Sequence, residues 1–194
     1  EFWKLIADFS EPNGSFRSDN LLSNERYFQH VLPDLVRQAQ ASRVYLGVGP
    51  EQNFTYIAAL KPKMVFIVDI RRGNLDLQLV YKTLFELSAD RAEFVGRLFA
   101  RKRPEGLGPQ SSVEEIFAKY AEVDPSEALY KENLSAIYAH LTGKHGMDLT
   151  AGDREGIEYV YKAFFTFGPN LQYSSTGSFG GRFQPSYAEL MTAD

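Results

Sequence analysis

The chain has 194 residues, a formal net charge of −4 and no cysteine. Its length and its 44% hydrophobic content are typical of one globular domain and exclude an intrinsically disordered chain. The net charge gives no general attraction to nucleic acid, and the lack of cysteine excludes disulfides and thiolate chemistry. Because the sequence has neither an apolar run of bilayer length nor a signal sequence, we expect a cytoplasmic protein without nucleic-acid or membrane partners.

The first forty residues predict two short apolar segments on either side of a polar loop. Residues 1–9 fit either a strand or a helix, and residues 10–20 are rich in turn-forming residues. Residues 24–40 carry apolar side chains at helical spacing, and Pro33 inside them predicts a kink or a restart. The polar loop is either an ordinary connection or a flap over a ligand.

A β-α-β pattern occupies the next thirty or so residues. Val44–Leu46 predicts a short strand, residues 54–60 predict a helix, and Met64–Val68 is a continuous apolar run. Such a run is typical of a strand that is buried on both faces of a parallel sheet. We expect Asn74 to be the N-cap of the long helix that follows.

Residues 75–167 predict a nearly unbroken series of helices, the first running to about Leu98, with later N-caps at Ser112, Asp124 and Thr150. Residues 168–194 predict a loop rich in glycine, serine and aromatic residues, and then the start of a helix at Ser186. The pattern supplies two strands, fewer than a doubly wound sheet contains, so we expect the remaining strands to lie beyond residue 194. The predicted parts are therefore 1–74 (N-terminal helices and the first β-α-β unit), 75–167 (a helical insertion or lid) and 168–194 (the lead into the rest of the core).

The turn after the first predicted strand has the chemistry of a nucleoside site. Gly47 and Gly49 allow the backbone to approach a ligand closely, and Asp69 follows Gly47 by 22 residues, near the ~20 typical of an acid that binds ribose hydroxyls. Gln52 replaces the third glycine of the dinucleotide fingerprint, which argues against a bound pyrophosphate. Glu51 repels phosphate and suits a ligand that carries an ammonium or sulfonium group.

These residues resemble the class I S-adenosylmethionine-dependent methyltransferases. The longer stretch from residue 16 to residue 74 is also similar to a family of bacterial proteins of unassigned function with methyltransferase-like folds. The resemblance implies an α/β fold, a Rossmann-like methyltransferase-type sheet with a large helical insertion after the second strand. It also implies S-adenosylmethionine as the cofactor and an unidentified methyl acceptor, with no catalytic base specified. The implied cofactor contacts are Gly47, Gly49, Glu51, Asn53, Asp69 and Ile70, with Arg17 of the polar loop as a clamp for the cofactor carboxylate.

Three alternatives remain open at the level of sequence. One is an NAD(P)-dependent oxidoreductase, and another is a Rossmann-like unit without a bound cofactor. The third is a non-catalytic interaction module, which an occluded glycine turn would favour. The three histidines, His30, His140 and His145, lack the usual metal-ligand spacing, so we expect no metal site and assign the last two to a helix end.

Overall fold

The computed structural model describes residues 2–12, 14, 16, 18–40, 42–174 and 184–193. The helices in this part of the chain are α1 (Phe2–Phe9), α2 (Leu32–Gln38), α3 (Gln52–Leu60), α4 (Arg72–Leu87), α5 (Arg91–Leu98), α6 (Val113–Ala121), α7 (Glu127–Ala139), α8 (Ala151–Phe167) and α9 (Tyr187–Met191). The strands are β1 (Val44–Val48) and β2 (Met64–Val68). Short 3-10 turns precede α2 and follow α8, and a π-helical turn, His140–Lys144, extends α7.

The predicted Rossmann-like methyltransferase-type sheet is wrong. The described part of the chain is mostly helical, and its sheet consists of β1 and β2, paired in parallel with Val44 opposite Met64 and Val48 opposite Val68. The physical reason lies in the residues after Asp69, whose apolar side chains recur every three or four positions. That spacing forms helices with one apolar stripe each, and the stripes bury one another instead of covering a larger sheet.

Most of the hydrophobic core therefore lies in residues 75–167, the block predicted to be an insertion. α8 is the main neighbour of α4, and α5, α6, α7 and α9 complete the layer around this pair. The buried side chains at the α4–α8 contact are Leu77, Val80, Tyr81, Leu84, Ile157, Val160, Tyr161 and Phe164. The helical block is the body of the domain, and the β-α-β unit is attached to its side.

One face of the two-stranded sheet is apolar and open to solvent. Val44, Leu46, Val48, Met64 and Val68 share this face and are between 50% and 71% exposed. The expectation that β2 is buried on both faces is therefore wrong for the described residues. On the opposite face β1 contacts α3.

Several element boundaries follow the sequence signals. Thr150 and Ser186 each begin a helix with a complete capping box, and Ser112 accepts a hydrogen bond from the backbone N–H of Glu115. Pro33 lies in the first turn of α2, after the 3-10 turn, as a restart requires. Residues 175–183, the greater part of the predicted loop, lie outside the described residues.

Three boundaries differ from the prediction. α4 begins at Arg72, so Asn74 is inside its first turn rather than at the N-cap. The predicted long helix ends at Leu87, because Asp90 caps a separate helix by accepting a hydrogen bond from the N–H of Glu93. Ser126, not Asp124, caps α7 through the N–H of Leu129. Asp90 thus divides the predicted long helix, whereas Ser126 replaces a predicted capping residue two positions earlier.

No helix among the described residues has both the length and the apolar character needed to cross a bilayer.

Truncating a core leucine and an exposed sheet leucine distinguishes this fold from a sheet-centred one. We expect Leu84→Ala to lower the free energy of unfolding by about 2–5 kcal/mol, because Leu84 is fully buried between helices. Leu46→Ala, at a side chain that is 71% exposed, is expected to change it by less than about 0.5 kcal/mol. Urea denaturation followed by circular dichroism measures both values, and equal losses would contradict the fold.

Candidate functional site

The side chain of Asn53, in the helix α3 that follows the predicted glycine turn, fills the space beside the turn. Gly49 has a φ of 85°, a left-handed conformation that favours glycine. The buried Asn53 amide donates hydrogen bonds to the carbonyls of Val48, Gly49 and Pro50, at 3.1, 3.2 and 2.8 Å. A Cβ on Gly47 would lie 2.1 Å from the Asn53 oxygen, so the space that glycine provides is already occupied.

Glu51 is also engaged within the protein. Its carboxylate is 5% exposed, and both oxygens accept the backbone N–H of Ser23, at 2.9 and 3.1 Å. Burial raises the pKa of Glu51 to about 7, against the opposing effect of these hydrogen bonds. Glu51 therefore fastens the segment at Ser23 to the start of α3.

Asp69, the predicted ribose ligand, forms a buried ion pair with Arg71. The Arg71 guanidinium donates to both carboxylate oxygens of Asp69, at 3.1 and 3.0 Å, and also to the carbonyl of Asp19. The carbonyl of the exposed Ile70 accepts the N–H of Gly14 at 2.9 Å. The polar loop is thus attached to the end of β2, where a ribose was expected. The predicted clamp Arg17 lies outside the described residues.

The structure therefore brings most of the predicted cofactor residues to one edge of the sheet. Gly49, Glu51, Asn53 and Asp69 meet there, but their polar atoms bond to other parts of the chain. An occluded turn is the observation that was expected to favour a non-catalytic unit. Among the described residues, the side chain that occludes the turn is that of Asn53.

A cavity of about 400 Å³ lies beside this edge, between the polar loop, α4 and α8. We call it the Asp76 cavity. Its chemically distinctive lining residues are Phe16, Asp19, Arg72, Asp76, Gly156 and Tyr159.

One carboxylate oxygen of Asp76, which lines this cavity, has no hydrogen-bond partner among the described residues. This oxygen is Oδ1, and the Asp76 side chain is 3% exposed. Burial raises the pKa of Asp76 to about 7, with Arg72 opposing the shift and Asp153 adding to it. A buried carboxyl without a full set of partners is costly, so one that lines a cavity is a candidate ligand-binding group.

The neighbouring charges are arranged in pairs. Arg72 donates to Asp153 at 2.5 Å, and its guanidinium lies 5.6 Å from the centre of the Trp3 ring. The hydrogen bonds from Arg72 and Thr150 to Asp153 outweigh its burial, so its pKa is lowered. Asp153 in turn completes the capping box of α8 with Thr150. These contacts hold the N-terminal ends of α4 and α8 together at the cavity wall.

Gly156 makes room for the Asp76 carboxyl on the facing helix. A Cβ at Gly156 would lie 2.2 Å from Asp76 Oδ2, which is closer than real side chains approach. Two features of the sequence indicate this site. Asp76 falls on the apolar stripe with Val80, and Gly152 and Gly156 repeat at four-residue spacing on one face of α8.

A second cluster that sequence spacing did not predict lies at the far end of α4. Glu86, His140 and His145 place their carboxylate and imidazole ligand atoms within 4.8 Å of one another.

The chain belongs to the family described as "Domain of unknown function (DUF7790)", whose model matches residues 21–150. No curated protein matches the chain.

The close approach of α8 to Asp76 can be tested with paired glycine substitutions. We expect Gly156→Ala to lower the free energy of unfolding by about 1–3 kcal/mol, because the new Cβ collides with the carboxyl group. Gly152→Ala is the matched control, since its Cβ would lie 3.8 Å from the nearest atom, an ordinary contact. Urea denaturation compares the two variants, and a tolerated Gly156→Ala would refute this packing.

Proposed function

We propose that the chain is a ligand-binding domain that holds a small organic cation in the Asp76 cavity. Asp76 is the group that pairs with the cation. The observation that carries the proposal is that Asp76 lines the cavity while its buried Oδ1 accepts no hydrogen bond within the described chain. An ammonium or guanidinium group would supply the missing donor and favour the charged form of the carboxyl group.

The ion pairs around the cavity indicate the sign of the charge on the expected ligand. Of the arginines that line its described walls, Arg71 pairs with Asp69 and Arg72 pairs with Asp153. An anionic ligand would therefore have to break an existing pair and would also face the Asp76 carboxyl. A cation gains a carboxylate partner without disturbing either pair.

The aromatic lining supports the same class of ligand. The Phe16 and Tyr159 side chains are about half exposed at the cavity, and the Tyr159 hydroxyl donates to Asp19 at 3.0 Å. Aromatic faces attract organic cations and also bury the apolar part of such a ligand. A cation that carries a short apolar or aromatic body fits this combination.

The S-adenosylmethionine-dependent activity predicted from the glycine turn remains a prediction. S-adenosylmethionine carries an ammonium and a sulfonium group, so it belongs to the proposed class of ligand. The internal bonds of Glu51, Asn53 and Asp69 favour the Asp76 cavity over the glycine turn as the binding position. The cytoplasmic location is also part of the proposal, and the lack of cysteine in the sequence is consistent with it.

Calorimetric titration with phenethylamine and with its neutral analogue 2-phenylethanol tests the proposal. We expect the amine to bind at least tenfold more tightly, because a charge-assisted hydrogen bond contributes about 1.5–3 kcal/mol. Asp76→Asn should remove this preference, whereas Asp34→Asn, the same charge change at an exposed helix, should retain it. Equal binding of the two compounds, or tighter binding of inorganic phosphate, would overturn the proposal.

The pH dependence of the same titration provides an independent check. A cation binds the ionised carboxyl group, and the pKa of Asp76 is raised to about 7. Affinity for the amine should therefore rise from pH 5.5 to pH 7.5 and level off above it, and this rise should be absent in Asp76→Asn.

The same calorimetric titration tests which of the two positions binds S-adenosylmethionine. Binding of S-adenosylmethionine that is lost in Asp76→Asn supports the cavity. Binding that is lost in Asp69→Ala and kept in Asp76→Asn supports the glycine turn and contradicts the proposed position.

A further inference from the structure

Two imidazoles and one carboxylate converge at the C-terminal end of α4, away from the Asp76 cavity. Glu86 Oε2 lies 2.8 Å from His140 Nε2 and 2.9 Å from His145 Nε2. The Lys144 ammonium also donates to Oε2 at 2.8 Å, while Lys82 donates to Oε1 at 2.5 Å. One carboxylate oxygen is thus the meeting point of three nitrogen atoms.

The π-helical turn after α7 is what brings the two histidines together. In an α-helix, residues five apart point about 140° away from one another. Here the chain widens over His140–Lys144, and the N–H of His145 donates to the carbonyl of His140 at 3.3 Å. Their rings consequently lie 5.3 Å apart, both facing Glu86. Single π turns of this kind occur frequently at functional sites.

The atoms that converge are those that a metal ion needs. A neutral histidine whose proton is on Nδ1 offers a lone pair at Nε2, and a carboxylate offers an oxygen. The Glu86 carboxylate accepts hydrogen bonds from the Lys144 and Lys82 ammonium groups, and these contacts favour its charged form, which is the form that binds a metal ion. Ligands of a tetrahedral zinc ion lie about 3.3 Å apart, so each Nε2 atom needs to move only about half an ångström away from Oε2.

We propose that Glu86, His140 and His145 bind one divalent first-row transition-metal ion, such as Zn²⁺, through Oε2 and the two Nε2 atoms. Two imidazoles and a carboxylate suit Zn²⁺, Fe²⁺ or Co²⁺ better than Mg²⁺ or Ca²⁺, which prefer oxygen ligands. The three side chains are 12–25% exposed, so an ion can reach them from solution. Three protein ligands leave a coordination position for water or a substrate, as in catalytic rather than structural zinc sites.

The Lys144 ammonium group would compete with a metal ion for the Glu86 carboxylate. In the metal-free protein, Lys144 neutralises the same oxygen that a metal would bind, and its side chain is 58% exposed. Metal binding therefore requires this ammonium to move away. Removing it should strengthen metal binding, whereas a structural salt-bridge cluster would simply lose a contact.

Cobalt and zinc titrations of the tag-free full chain test the site. Co²⁺ should bind with a stoichiometry of one and produce the visible absorption of a low-coordinate nitrogen–oxygen site, and Zn²⁺ should displace it. Glu86→Gln, His140→Ala and His145→Ala should each weaken binding at least tenfold, whereas His30→Ala, which alters the remaining histidine of the sequence, should leave it unchanged. Lys144→Met should tighten binding about two- to fivefold, from the loss of a competing charge.

Imidazole NMR of the wild-type protein keeps the test independent of whether the variants fold. The Nε2 resonances of two of the three histidines should shift on adding Zn²⁺, and none should shift on adding Mg²⁺. The absence of stoichiometric Co²⁺ binding, shifts confined to His30, or unchanged affinity in His140→Ala and His145→Ala would overturn the proposal.

Discussion

The packing of α4 against α8 is the constraint on which the rest of the structure depends. Gly156 allows the two helices to approach at Asp76, and the Arg72–Asp153 ion pair joins their N-terminal ends. The apolar stripes below this point form the centre of the core. α4 also carries both candidate sites, since Asp76 and Glu86 are ten residues apart, about 15 Å along a helix. The α4–α8 pair thus forms the centre of the fold, and α4 positions a carboxylate in each candidate site.

Local signals in the sequence predicted most individual elements, although not their arrangement. Met64–Val68 forms a strand over its predicted range, and Thr150 and Ser186 cap helices as expected. The apolar character of the second strand predicts a larger sheet around it. Periodicity shows that an element has an apolar face, but it does not show which element covers that face. The helices after Asp69 cover one another, and the described residues leave the outer face of β2 exposed.

The two candidate sites depend on information that spacing does not contain. Gly49, Glu51 and Asp69 do gather at one edge, but whether their polar atoms are free depends on partners such as Ser23 and Arg71. Asp76 is separated from Gly156 by eighty positions, so their contact is a property of the tertiary fold. His140 and His145 are five residues apart, and an α-helix would place them on different faces. A widened turn is needed before they can act together.

Measuring the pKa of the Asp76 carboxyl group tests the proposed cation site most directly. A ¹³C NMR titration of the side-chain carboxyl groups, with the Asp76 resonance assigned by its loss in Asp76→Asn, measures its pKa in the folded protein. Burial beside the cavity predicts a pKa of about 7, and addition of an organic cation should move it downward. A pKa near 4 that does not change with an added cation would mean that Asp76 is solvated or internally paired. That result would contradict both the cavity and the function proposed for it.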